Sequence, residues 1–209
     1  MKDQDGFGLE EAVADLNVSR ETKMALATII DELHDWRLRI NLIGPSEAGQ
    51  VWRRHVYDSL QLAAHVDLSK RTLDLGSGAG FPGLILAALA KEKGGDVTMI
   101  ESVGKKCAFL RHVAAQATLP VKVLNQRVEN SEGVSADFIT ARAFAPLPKL
   151  LAYAERWLDS GAIGIFPKGR RWQEELTQAS DYWTFSHEVI PSQSGDGVIL
   201  KIWEVARGA

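Results

Sequence analysis

The chain has 209 residues, 45% of them hydrophobic and 24% charged, with a formal net charge of −3, so it can bury one substantial core in the manner of an ordinary globular protein. That slightly acidic balance excludes bulk attraction to nucleic acid, and any RNA contact must come from a local basic face. Cys107 is the only cysteine, which excludes an internal disulfide or a thiolate metal cluster, and no apolar run reaches the roughly eighteen residues of a membrane span.

The start, Met1-Lys2-Asp3-Gln4-Asp5, is too polar for a signal peptide, so a cytoplasmic protein without a membrane partner is expected. The first seventy residues then read as helices. Ser19 is placed to cap a helix whose apolar positions are Met24, Leu26, Ile29, Ile30, Leu33 and Trp36. A turn at Gly44-Pro45-Ser46 follows, and Ser46 is placed to cap a second helix carrying Val51, Trp52, Val56, Leu60, Leu62 and Ala63. Residues 1–67 are therefore expected to form a helical extension packed on a catalytic domain of residues 68–209.

The most informative stretch comes next, Leu73-Asp74-Leu75-Gly76-Ser77-Gly78-Ala79-Gly80-Phe81-Pro82-Gly83. It ends a buried strand, turns on glycines and opens a helix, with Pro82 suited to the first helical position. Gly78-x-Gly80-x-x-Gly83 meets the dinucleotide spacing, and Glu101 closes the next apolar run about twenty residues on, where an acid can accept from ribose hydroxyls. Spacing alone leaves the cofactor open between a nicotinamide dinucleotide and another nucleotide.

From Arg71 onward short apolar runs alternate with helical patterns, the signature of βαβ units and a mainly parallel sheet. Strands are expected near 71–75, 97–101, 121–125, 136–141 and 161–167, and helices near 82–93, 104–117, 146–158 and 170–180. Cys107 falls on the second of these helices and reads as a core thiol. The last two apolar runs, Trp183 to Ile190 and Val198 to Val205, are joined by a Gly- and Ser-rich turn and predict a terminal hairpin.

A doubly wound sheet that ends in an antiparallel hairpin, with Asp74 two residues ahead of Gly76, resembles the Rossmann-like class I S-adenosylmethionine methyltransferases, an α/β fold with a seven-stranded sheet. More specifically, Asp74 to Gly83, Ile100-Glu101-Ser102, Lys105-Lys106 with Phe109-Leu110, Arg127-Val128-Glu129, Arg142-Ala143-Phe144-Ala145 and Lys168-Gly169 resemble the small-subunit ribosomal RNA guanine-N7 methyltransferase family, also called GidB or RsmG. Ile40-Asn41-Leu42 after Trp36, and Arg54-His55 with Asp58-Ser59, extend the resemblance over nearly the whole chain. Arg37 and Ile43 depart from the family's usual residues, and both lie in the amino-terminal helices.

The resemblance implies transfer of a methyl group from S-adenosylmethionine to a guanine N7 in small-subunit ribosomal RNA, free or in an assembling subunit. It implies cofactor contacts by Gly76, Gly78, Phe81, Glu101, Val128, Glu129 and Arg142. Arg142 and Lys168 are candidates at the reacting end, and Arg54, His55, Lys168 and Arg170 are candidates for RNA. The in-plane lone pair of N7 needs no deprotonation, so neither an obligatory catalytic His–Asp pair nor a metal is expected. His55 reads as a structural or lid residue, oriented by Asp58 if both share a helical face. Arg37, Arg39, Arg53, Arg54, Lys168, Arg170 and Arg171 could form the local basic face, while Trp36 and Trp52 read as core residues. A monomer is expected. Two other readings stay open from the residues alone: an NAD-dependent oxidoreductase, and a non-catalytic RNA-binding assembly factor.

Overall fold

The structure is a computed structural model describing residues 2–208; Met1 and Ala209, the outer limits of the two expected segments, lie outside the described residues. A short α1 (Leu9–Ala12), which no sequence signal announced, precedes α2 (Arg20–Trp36). Ser19 caps α2 by accepting from the Thr22 N–H at 3.0 Å. The buried stripe of α2 runs through Ala25, Leu26, Ile29, Ile30 and Leu33, and Met24, expected on that face, falls one step outside it and is 60% exposed.

Ser46 does not cap the next helix. It lies inside a 3₁₀ turn, Pro45–Glu47, and the following helical stretch opens on a wide π turn, Trp52–Tyr57, before α3 (Asp58–Leu60) and a 3₁₀ turn, Gln61–His65. The Asp3 carboxylate provides the cap, accepting from the Trp52 and Arg53 N–H groups at 3.0 and 2.9 Å. A cap reaching back across nearly fifty residues leaves no trace in local spacing.

Seven strands follow among the described residues: β1 (Arg71–Leu75), β2 (Asp96–Glu101), β3 (Val121–Asn125), β4 (Phe138–Thr140), β5 (Ile163–Lys168), β6 (Trp183–Pro191) and β7 (Val198–Arg207). Between them run α4 (Gly83–Ala90), α5 (Gly104–Gln116), α6 (Leu147–Asp159) and α7 (Trp172–Ser180), so Pro82 sits one residue ahead of α4 instead of at its first position. The sheet order is β3-β2-β1-β4-β5-β7-β6, parallel from β3 through β5 and antiparallel where β7 enters between β5 and β6. The expected fold, with its terminal hairpin, is the one observed.

Both sheet faces are covered, which is why the central strands read as nearly continuous apolar runs. On one face Met99, Phe138 and Ile165 pack with α2, α4 and α5. On the other Leu73, Leu75, Ile139 and Phe166 pack with α6 and the hairpin. The order in which strands are added reverses between β1 and β4, which stay parallel, and the carboxyl ends of these two strands open a crevice where open α/β sheets bind ligands. No helix among the described residues is long and apolar enough to cross a membrane.

Candidate functional site

Glycine shapes the loop after β1, and Gly76 and Gly83 are positions that no other residue fits. Gly76 has φ 66°, and a Cβ there would run into the Phe144 ring. Gly83 starts α4 so close to β1 that a Cβ would sit 2.8 Å from both Asp74 Oδ2 and Met99 Cε. Gly78, φ 54°, differs: the nearest atom to a Cβ would be Gly76 O at 3.7 Å, so the loop faces open space at that point.

Glu101 at the end of β2 braces this loop. Its two carboxylate oxygens accept from the Gly78 N–H at 2.9 Å and the Val103 N–H at 2.7 Å, and the side chain is buried, not a solvated strand-end acid. Each oxygen keeps a lone pair for a further donor. Below it Cys107 is fully buried, its thiol donating to Glu101 O at 3.1 Å, and burial holds its pKa up, as a core thiol requires.

Asp74 is buried beneath the loop and is pushed up to about 6 chiefly by that burial, while the Thr140 hydroxyl donates to its Oδ1 at 2.9 Å. Arg142, just past β4, is half-buried. Its guanidinium donates to Arg54 O at 2.9 Å and meets His55 Nδ1 at 2.7 Å, and it lies 5.4 Å from the Phe81 ring centre. Phe81 in turn stacks on His55, with ring centres 5.1 Å apart.

The expected orientation of His55 by Asp58 does not occur. The π turn widens the helical repeat, and Asp58 Oδ1 accepts instead from Gln61 Nε2 and the Ser194 hydroxyl. Because Arg142 can only donate, His55 Nδ1 must accept, which places the proton on Nε2. Nε2 has no hydrogen bond among the described residues, with Glu47 Oε1 at 4.0 Å. Burial first, and the Arg142 charge second, hold the His55 pKa down to about 4.

These two shifts have opposite signs in stability. Between pH 4 and 6.5 only the unfolded chain protonates His55, so its contribution is present above 6.5 and lost as pH falls through 4. Between pH 3.8 and 6 only the folded chain holds the Asp74 proton, so stability falls as pH rises through that window. Replacing His55 by glutamine removes the first effect and leaves the second. Relative to wild type, the variant is expected to gain on the order of 2–3 kcal/mol as pH drops from 6.5 to 4. Urea midpoints across that range measure it, and parallel pH profiles for the two proteins would refute the assignment.

The site residues line one cleft of about 1010 Å³ at the carboxyl ends of the strands: Gly76, Gly78, Phe81, Glu101, Val128, Glu129, Arg142, Arg54, His55 and Lys168 all contribute. Arg170 stands apart, exposed and paired with Asp196 at 2.6 Å. Lys168 is not a solvated strand-end lysine; its side chain is 7% exposed, with Nζ donating to Ala145 O at 3.0 Å and Glu175 Oε2 at 2.8 Å. Trp52 is buried and Trp36 packs on Phe109, as core residues. Phe144, Tyr153 and Glu175 also line the cleft, and no short motif pointed to Tyr153 or Glu175.

The family model for rRNA small subunit methyltransferase G matches residues 22–196. A protein named ribosomal RNA small subunit methyltransferase G from Hyphomonas neptunium is 58% identical over 192 residues, covering 91% of this chain and 92% of its own. One of the same name from Methylorubrum populi is 48% identical over 195 residues, with 91% and 92% covered. Among solved structures, a SAM dependent methyltransferase from Aquifex aeolicus superposes with a TM-score of 0.55 at 18% identity, covering 85% of this chain and 97% of that one.

Proposed function

Since the chain belongs to the rRNA small subunit methyltransferase G family, we propose that it methylates N7 of one guanine in small-subunit ribosomal RNA, acting as a cytoplasmic monomer. At the coarser level it is an S-adenosylmethionine-dependent methyltransferase of that RNA. In this reading residues 1–67 are a helical extension on the catalytic domain, 68–209, and the partner is the free RNA or an assembling small subunit.

The observation carrying the reading is the open face at Gly78 beside Glu101, at the carboxyl ends of β1 and β2. It fits the cofactor: the loop offers bare backbone at Gly76 and Gly78, and Glu101 offers carboxylate lone pairs to ribose hydroxyls. Val128 and Glu129 line the same cleft, as do Phe81 and Arg142, 5.4 Å from that ring; this reading assigns the adenine to the first pair and the methionine end to the second.

When bound, S-adenosylmethionine supplies a methyl group already activated on a sulfonium. The residues of the chain then have to hold the acceptor nitrogen in line with it, and such positioning alone can supply much of the rate. A purine N7 attacks with its own lone pair, so no side chain has to take a proton first. His55, titrating near pH 4 and tied to Arg142, is suited to a fixed donor's part and not to a general base's. The nicotinamide alternative has the glycine spacing and Glu101 behind it, and the family match does not extend to it.

Incubation with methyl-labelled S-adenosylmethionine and small-subunit RNA from cells lacking the modification is expected to label a single guanine, recovered as 7-methylguanosine. Label in another nucleoside would discard the N7 reading, and no label with free or assembling RNA would discard the activity, leaving the assembly-factor reading.

A further inference from the structure

We propose that the Lys168–Glu175 pair reads the Watson–Crick edge of the target guanine, Lys168 donating to O6 and Glu175 accepting from N1–H. The inference rests on the guanine reading above and names what would enforce it.

Each member of the pair keeps one unused hydrogen-bonding position. Lys168 Nζ has three N–H groups and two protein acceptors, Ala145 O and Glu175 Oε2, which leaves one donor. Glu175 spends Oε2 on two donors, Lys168 Nζ and the Leu147 N–H, both at 2.8 Å, while its Oε1 has no hydrogen bond among the described residues. Both side chains line the cleft, so the pair presents one donor beside one acceptor to whatever enters. Guanine offers the matching pair, the O6 acceptor beside the N1–H donor. Adenine offers the reverse, a 6-amino donor beside a bare N1, and would set donor against donor and acceptor against acceptor. Uracil shares guanine's pattern but has no purine N7.

Position supports the same assignment. The loop from Arg142 to Pro146 joins the two halves of the cleft: Phe144 lies against Gly76 of the cofactor loop, and the neighbouring Ala145 carbonyl anchors Lys168. Phe144 also packs on Tyr153, ring centres 5.3 Å apart, so an aromatic wall stands between the cofactor side and the reading pair. A purine laid on that wall with N7 toward the cofactor turns O6, then N1, toward the pair. Glu175 also gains in the transition state, because methylation at N7 makes the ring cationic and N1–H more acidic, strengthening its bond to the carboxylate.

The test uses small-subunit RNA ligated so that only the mapped target nucleotide is replaced, with methyl transfer measured for wild type and Glu175→Gln. Inosine keeps O6 and N1–H and is expected to react within about threefold of guanine; 2-aminopurine keeps N7 but lacks both groups and is expected to react ~100-fold more slowly with wild type, for two lost hydrogen bonds. Glu175→Gln is expected to bring that ratio below about tenfold, since its amide can donate to a bare N1, with S-adenosylhomocysteine affinity held within twofold. A variant that slows both bases equally has only a structural defect and overturns the proposal, as does rejection of inosine by wild type. Methylation of a 7-deazaguanine substrate would overturn the N7 reading instead, independently of these ratios.

Discussion

Exchanging Gly78 for asparagine is expected to weaken S-adenosylhomocysteine binding at least ~100-fold, while Tm falls by only about 2–4 °C. Asparagine tolerates the left-handed region better than other side chains, so the φ of 54° costs about 1 kcal/mol or less. The protein itself offers no obstacle, since the nearest atom to the new Cβ is 3.7 Å away. The backbone N–H that Glu101 accepts is retained. The substituted side chain therefore spends its bulk on the open cleft, and the loss falls on the ligand. Gly76→Ala provides the contrast, because its Cβ meets the Phe144 ring and its φ is positive, so folding stability should fall with binding. Calorimetric titration and thermal melts separate the two patterns. Binding by Gly78→Asn within threefold of wild type would mean that the loop does not cradle the cofactor.

That contrast shows how far a sequence can be read. The glycine spacing and Glu101 predicted a nucleotide loop, and the alternation of strands and helices predicted the sheet, because period and turn chemistry are local properties. Each strand was found within two residues of its expected start. Distinguishing Gly76 from Gly78 was not possible, since both have positive φ and the difference lies in Phe144, contributed by a loop 68 positions later.

The same limit explains the other corrections. Asp3 caps the π turn at Trp52–Tyr57 from the far end of the helical region, so Ser46 was the nearer and wrong candidate. His55 and Asp58 are spaced for a helical pair, but the π turn changes the repeat and hands His55 to Arg142, 87 residues away. Lys168, a candidate at the reacting end, is tied down by Glu175 of α7 and by the Ala145 carbonyl, neither of which its strand-end position announces. What the sequence hides in each case is a partner from another element, which fixes the chemical character of a residue already picked out as interesting.

Arg142 gathers most of these partners, and Arg142→Met is expected to lower kcat/KM by about 100- to 1,000-fold, a loss of ~3–4 kcal/mol of transition-state stabilisation. The guanidinium ties the strand-end loop to the amino-terminal helices through Arg54 O and His55 Nδ1, and the carboxylates Asp58, Glu47 and Asp74 lie within its field. Methionine fills much of the volume above Phe81 but supplies neither donor nor charge. Two consequences distinguish this from simple loss of packing. Without the positive neighbour, the second cause of the low His55 pKa disappears, so the imidazole should titrate upward from about 4 in a pH-dependent NMR spectrum. Combining the change with His55→Leu should then cost much less than the sum of the single changes, since both remove the same contact. An unmoved His55 titration, or strictly additive losses, would show that Arg142 and His55 act separately, and the bridge between the helices and the cleft would have to be sought elsewhere.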